Sequence, residues 1–423
     1  MSGPTGVDGY TWRDSELTSP PIRALNAVGA RLGRAGFERP RLTADAVAAA
    51  AAKAAGSDDF GSDSYREPLE VFLAACRSEA GLTTFGRVLI TKMLQAALVN
   101  RIELHRWTAE HPEAADERID SPWIIVGLPR TGTSLLNNLV GLDPMNRVLL
   151  QWEAAHLIPP ATLEEAGGDP RITRTAKELE GLMKLNPPLR VMHPFGATLA
   201  QECVSLFMYD VRTLALETQA HVPTYARWLE RADMAPAYAQ HRRALQALQS
   251  CQPTERWVLK TPNHLWDLAA LLTAYPDARI VWTHRDPGPV VTSLASLANA
   301  GQRPLTTRCD PVATGEEWKR KCAFAIGSAT AFDERADPGW CRHLHYDLLM
   351  EDPVAAVRAL YGSFDQEVSP LHERRMRAFL SQRPQEAFGH HRYDPADFGW
   401  TYAGLGEEFA GYTERYGITT AGV

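Results

Sequence analysis

The sequence predicts an α/β fold, a central parallel sheet flanked by helices, with a helical extension over residues 1–120 and the main domain over residues 121–423. Three observations predict it. Short apolar, β-branched runs recur at "WIIV", "WVLK" and "RIVW", each closed by glycine, proline or a polar turn. Helix-period stretches separate them. Strand and helix in alternation build a parallel sheet, whose ligand sits outside the carboxyl ends of the strands.

In the extension, "PIRALNAVGARL" places Ile22, Leu25, Val28 and Leu32 on one helix face. "LTADAVAAAAAKAAG" follows, with Thr43 as N-cap and Gly56 just past the end. A third helix, "RVLITKMLQAALVNRIELHRW", keeps Val88, Met93, Leu94, Leu98 and Ile102 near one stripe. Among the later runs, "LWDLAALLTAYP" carries Leu265, Leu268, Leu271 and Leu272 on one side. The turn-rich stretch from Asn299 to Gly315 reads as a long loop of the kind that forms a lid.

Composition sets the outer limits. The 423 residues are 45% hydrophobic and 22% charged, as in an ordinary folded protein. Lys+Arg 44 against Asp+Glu 51 leaves a net charge of −7, which supplies no general field for nucleic acid or an anionic membrane. Any polyanion must be held by local cations. The six cysteines show neither a C-x-x-C pair nor zinc-type spacing, so free thiols and no metal site are expected. The amino-terminal stretch lacks the pattern of a signal peptide, and no run approaches the ~20 apolar residues of a membrane span. A cytoplasmic location and no stable membrane insertion are therefore expected.

The chemistry concentrates at "GLPRTGTS", Gly127 to Ser134, directly behind "WIIV". Gly127, Gly132 and Ser134 fit the phosphate-loop pattern, but Thr133 stands where nucleoside triphosphatases carry lysine. Glycines let the backbone wrap an anion, and the helix beginning near Thr133 aims free amides at it. Thr131, Thr133 and Ser134 add hydroxyls, and Arg130 is the cation inside the loop. Without the lysine, handling of a γ-phosphate with magnesium is poorly supported. A small-molecule kinase using ATP and magnesium is thus the alternative reading, with Asp286 or Asp277 as the metal-associated carboxylate. A non-catalytic binding protein is a third.

Several elements in order, "GLPRTGTSLL", "LLQWEA", "WVLKTPNHLWDLAALLTAYPDARIVWTHRDPGPVVTSLASL", "HLHYDLLMEDPVAAV" and "GHHRYDPADFGW", resemble the sulfotransferases that use 3'-phosphoadenosine 5'-phosphosulfate, PAPS, and their bacterial branch in particular. The resemblance spans most of residues 121–400 and implies a P-loop three-layer sandwich. It implies sulfuryl transfer from PAPS to a hydroxyl of a small or lipid-like acceptor by metal-free in-line displacement, leaving adenosine 3',5'-bisphosphate. It further implies that Pro129, Arg130, Thr131, Gly132, Thr133 and Ser134 grip the 5'-phosphate, with Arg130 also serving the leaving oxygen. Arg285 and Ser293 match the pair that binds the 3'-phosphate. Lys260 matches a strand-end lysine that neutralises the transferring group, and His391, Arg392 and Tyr393 match a basic segment that closes over the donor. A homodimer is left open.

Three residues compete as general base. The histidine that some relatives carry two residues after the lysine is replaced here by Pro262, and His264 lies two further on. Glu153 of "QWEA" is placed first, His193 second and Glu202 third. A carboxylate serves if burial raises its pKa, whereas histidine starts near ~6.5. The acceptor pocket is expected among Phe195, Phe207, Met208, Tyr209, Tyr225 and Trp228.

Overall fold

Five strands form one sheet: β1 (Trp123–Gly127), β2 (Asn146–Val148), β3 (Arg256–Lys260), β4 (Arg279–His284) and β5 (Cys341–His345). Their order is β2-β3-β1-β4-β5, and every neighbouring pair is parallel. The computed structural model describes residues 9–16, 19–37, 39–192, 195–382 and 390–420.

The period-two alternation of a strand sends successive side chains to opposite layers. Ile124, Val126, Leu259, Ile280 and Trp282 join one buried cluster with the helices Ala235–Cys251, Pro287–Gln302 and Pro311–Asp333. Trp123, Ile125, Val258 and Val281 join another, with the helices Thr133–Gly141 and Pro353–Gly362. Helices on both faces make the predicted three layers. Because each such buried side chain contributes about 1.5–3 kcal/mol, the central strands are fixed from both sides. The carboxyl ends of β1, β3 and β4 therefore form a rigid platform.

Ahead of the sheet, the helix Thr84–Glu110 buries Ile90, Leu94, Leu98 and Ile102 against the helices Ala44–Ala55 and Arg66–Ser78. Thr43 caps the helix Ala44–Ala55 by accepting from the Ala46 N–H, and Gly56 ends it in the left-handed region. Met208, Leu216, Val222 and Tyr225 belong to the same cluster, so the extension shares its core with a segment beyond residue 121. Arg101, fully buried, ties the two by donating to Asp210 at 2.7 Å and to the Phe60 carbonyl at 2.8 Å.

Two local expectations are corrected. The helix Pro20–Arg34 forms, but Leu25, Val28 and Leu32 are exposed, and its half-buried side is that of Ile22, Asn26, Gly29 and Gly33. There Asn26 accepts from the Phe85 N–H at 2.8 Å. The supposed long loop from Asn299 to Gly315 is mostly helix. The helix Pro287–Gln302 runs into it, and Asp310 accepts from the Ala313 N–H while Pro311 opens the helix Pro311–Asp333. An N-cap aspartate followed by proline is a helix start, and the turn residues of this stretch mark it rather than a lid.

Near the amino terminus, Tyr10 pairs in parallel with His391. The Tyr10 N–H donates to the His390 carbonyl and the Arg392 N–H to the Tyr10 carbonyl, both at 2.8 Å. Arg13 holds Asp397 with two bonds of 2.7 Å, and the Trp12 indole donates to the same carboxylate. Among the described residues no helix is long and apolar enough to cross a membrane.

Candidate active site

At the end of β1 the chain turns through Leu128–Gly132 into the helix Thr133–Gly141. The register sets Gly127 opposite Thr283 of β4, and a Cβ on Gly127 would fall 2.3 Å from the Thr283 hydroxyl oxygen. Only glycine lets the two strands stay this close here. Thr131 then closes the loop, donating to the Leu128 carbonyl and sharing a hydrogen bond with Thr283, both at 2.7 Å. Gly132 caps the helix in the left-handed region, with no side chain covering the first amides. Pro129 is half-buried within the loop, Thr133 is buried at the first helical position and Ser134 follows.

Arg130 is the strained member, a non-glycine residue at φ 71°. Such a conformation costs about 1–3 kcal/mol and persists where packing over-determines it. Its Nε donates to Ser293 at 3.1 Å and its Nη1 to the Met192 carbonyl at 2.5 Å. Arg285, at the end of β4, donates to the Arg130 carbonyl at 2.8 Å and lies 4.0 Å over the Tyr346 ring. So Arg130, Arg285 and Ser293 converge. Among the described residues no carboxylate pairs with either arginine. Burial holds the Arg130 guanidinium below its ordinary range, and the Arg285 charge adds to this against the phenols of Tyr393 and Tyr346. An anion between the arginines would reverse both effects. The residues present therefore fit a phosphate-bearing ligand.

The carboxy-terminal segment closes this side. His391 meets Ser296 at 2.9 Å, one helical turn beyond Ser293, and its Nδ1 is buried with no partner among the described residues. Burial, with the Arg130 charge second, pushes its pKa down to about 3, so the ring is neutral at pH 7. Tyr393 packs edge-on to His391 at 5.0 Å, and Arg392 is held through its backbone by Tyr10.

Lys260 ends β3 on the other side of the loop. Its ammonium donates to Ser134 at 3.0 Å and to Glu202 at 2.5 Å. The lysine side chain is 1% exposed and that of Glu202 17%. What brings them together is a bond between distant segments, the Cys203 N–H donating to the Lys260 carbonyl at 2.9 Å.

Glu153 lies in a different environment. Arg147 donates to one of its oxygens at 2.9 Å and the Leu150 N–H to the other at 3.0 Å, where it closes the first turn of the helix Gln151–Ala155. Arg147 is itself stacked on Trp257 and bonded to the Leu248 and Gln252 carbonyls. Both oxygens of Glu153 thus serve packing. His193 lies outside the described residues. His264 is buried, meets the Tyr238 hydroxyl at 2.9 Å, and is held well below its ordinary pKa by burial.

The other expectations separate similarly. Asp277 accepts from the Ser121 N–H at 2.6 Å, ahead of β4 and therefore at the end of the sheet opposite the loop. It cannot serve a metal at the phosphate. Asp286 caps the helix Pro287–Gln302 through the Gly288 N–H. Phe207, Tyr209 and Tyr225 are core residues rather than pocket lining. A cavity of about 240 Å³ opens instead between Leu214, Met234, Tyr238, Asn263, Trp266 and Phe324, beside the turn that follows Lys260. Thr283, Tyr346 and Ser296 were not foreseen. Of these only Thr283 leaves a trace in the sequence, as the polar residue of "IVWTH" at strand height with Gly127.

The comparisons with known proteins follow from this geometry. Residues 122–370 match the model of the sulfotransferase family. The sulfotransferase STF9 from Mycobacterium avium is similar in structure, with a TM-score of 0.84 at 31% identity, covering 92% of this chain and 100% of that one. STF1 from Mycobacterium tuberculosis H37Rv gives a TM-score of 0.80 at 32% identity, covering 88% and 100%. A comparison with curated proteins finds no match.

Proposed function

The chain belongs to the sulfotransferase family, and we propose that it moves a sulfuryl group from PAPS to a hydroxyl of a small or lipid-like acceptor. One observation carries the choice of donor: two arginines and a serine converge at the carboxyl ends of β1 and β4 with no carboxylate among the described residues to balance them. A donor with two separate phosphates answers that arrangement. The loop amides with Thr133 and Ser134 take the 5'-phosphate, and Arg285 with Ser293 takes the 3'-phosphate. His391, Arg392 and Tyr393 cover the nucleotide.

The bound donor supplies the activated sulfur–oxygen bond. Arg130 stabilises the negative charge that grows on the departing phosphate oxygen as this bond breaks, and Lys260 stabilises the sulfuryl oxygens in flight. On this reading Glu202 is the general base, ahead of Glu153. It takes the proton of the acceptor hydroxyl as the new oxygen–sulfur bond forms, from a position fixed by Lys260. The balance is a sulfated acceptor, a protonated carboxyl and adenosine 3',5'-bisphosphate. We assign the small acceptor to the cavity lined by Tyr238, Asn263 and Trp266, beside the turn that follows Lys260.

Incubation with PAPS and a panel of phenols, sterols and aliphatic alcohols, followed by mass spectrometry, tests the activity. Sulfated product is expected in at least one class. Stabilisation by ATP with magnesium but not by adenosine 3',5'-bisphosphate in a thermal-shift measurement would overturn the donor assignment.

A further inference from the structure

Away from the loop, at the outer edge of the sheet, Asp333, Cys341 and His343 bring an oxygen, a sulfur and a nitrogen within 4.8 Å of one another. We propose that these three residues bind a divalent borderline metal ion, with zinc the best match. The site involves neither the donor nor the acceptor. It is also absent from the sequence as a pattern, because the aspartate ends one helix while the other two residues sit on an edge strand.

The geometry is favourable at each ligand. Cys341 and His343 alternate on β5 and so share a face, and the Cys341 sulfur lies 3.4 Å from Nε2 of His343. Zinc with bonds of about 2.3 Å to sulfur and about 2.0–2.1 Å to nitrogen, in tetrahedral array, sets those atoms roughly 3.6 Å apart. The pair is already spaced for a common ion. Asp333 is held in place by the Trp340 indole at 2.9 Å, the Tyr416 hydroxyl at 2.9 Å and Arg415 at 3.1 Å. Arg415 also pairs with Glu334, so the local charge does not oppose a cation as an unpaired arginine would. His343 is exposed at the sheet edge, leaving an entry path and a fourth position for water.

Behind the ligands stands the support that a metal-bound histidine needs. Nδ1 of His343 meets Nε2 of His284 at 2.8 Å, and Nδ1 of His284 meets the Tyr412 hydroxyl at 2.8 Å. With metal on Nε2, His343 carries its proton on Nδ1 and donates it to His284, which donates in turn to Tyr412. The chain of bonds fixes both rings in the tautomer that binding requires. Binding displaces the thiol proton of Cys341: thiol and metal ion give metal-bound thiolate and one released proton.

Titration of the purified full-length chain with cobalt(II) reads the site directly. The expected result is one equivalent bound with the visible bands of a tetrahedral thiolate complex, displaced by zinc, which also raises Tm. C341S should lose the thiolate charge-transfer band, H343A and D333N should weaken binding, and H284A should weaken it about 10- to 100-fold. Removal of the two half-buried cysteines by C251S with C309S should leave the spectrum unchanged. Metal-free melting of each variant separates loss of a ligand from loss of the fold. A wild-type chain without the band, or a C341S chain that keeps it, overturns the proposal, as does an unchanged affinity in D333N.

Discussion

The two sides of the loop are charged in opposite senses of completeness. On one side Arg130 and Arg285 face each other without a carboxylate among the described residues, while on the other Lys260 is matched by Glu202 at 2.5 Å. The first half is electrostatically open, and an anion must complete it. The second is balanced within the chain, as the proposed role of Glu202 as base requires. A single site thus separates holding from transferring by where it leaves charge uncompensated.

The largest expected effect breaks the balanced half. E202Q keeps the shape but removes the proton acceptor, and kcat should fall by about 10²–10⁴-fold at saturating donor, with product binding little changed. E153Q should instead retain turnover per folded molecule. Cutting one partner from a buried ion pair costs about 3–5 kcal/mol, so Tm should drop in both variants and kcat in E202Q alone. If E153Q abolished turnover without loss of stability and E202Q did not, the assignments would exchange.

Next comes the open half. R130A should lower kcat by about 10²–10³-fold. Because it removes a charge that no carboxylate among the described residues balances, Tm of the ligand-free protein should hold or rise. A smaller step is R285A, which should weaken adenosine 3',5'-bisphosphate by about 10- to 100-fold in calorimetry, given about 1.5–3 kcal/mol for hydrogen bonds to charged groups. S293A should cost only a few-fold by the same measurement.

A separate expectation concerns protons. His391 and His241 have folded pKa values of about 3, both lowered by burial from the 6.5 of an exposed histidine. The folded state therefore binds fewer protons than the unfolded one between those limits. The stabilisation is complete above pH 6.5 and is lost as pH falls towards 3, at about 1.4 kcal/mol per pH unit per group. Melting followed from pH 7 to pH 5 should show the decline, and H391N should make it shallower.

How much of this was legible follows from what each element depends on. β1, β3 and β4 lie in the sheet's interior, covered on both faces, and their residues read as apolar runs. β2 and β5 are edges, a half-buried "NRV" and a mostly polar "CRHLH", and neither announces itself. The loop was readable because glycine spacing is a local requirement. Whether Glu153 or Glu202 stands at the site was not, since it rests on a bond from Cys203 to the Lys260 carbonyl that joins remote segments. The apolar stripe of Pro20–Arg34 misled for the same reason, as periodicity names a face without saying what covers it.

The bridge between Tyr10 and His391 bears on how the molecule yields to force. Tension applied through the two ends of the described chain would load that bridge and the Arg13–Asp397 fork before it reached any strand of the sheet. The carboxy-terminal segment beside Ser296 would peel away before the parallel core. Mechanically, that segment is the seam of the protein.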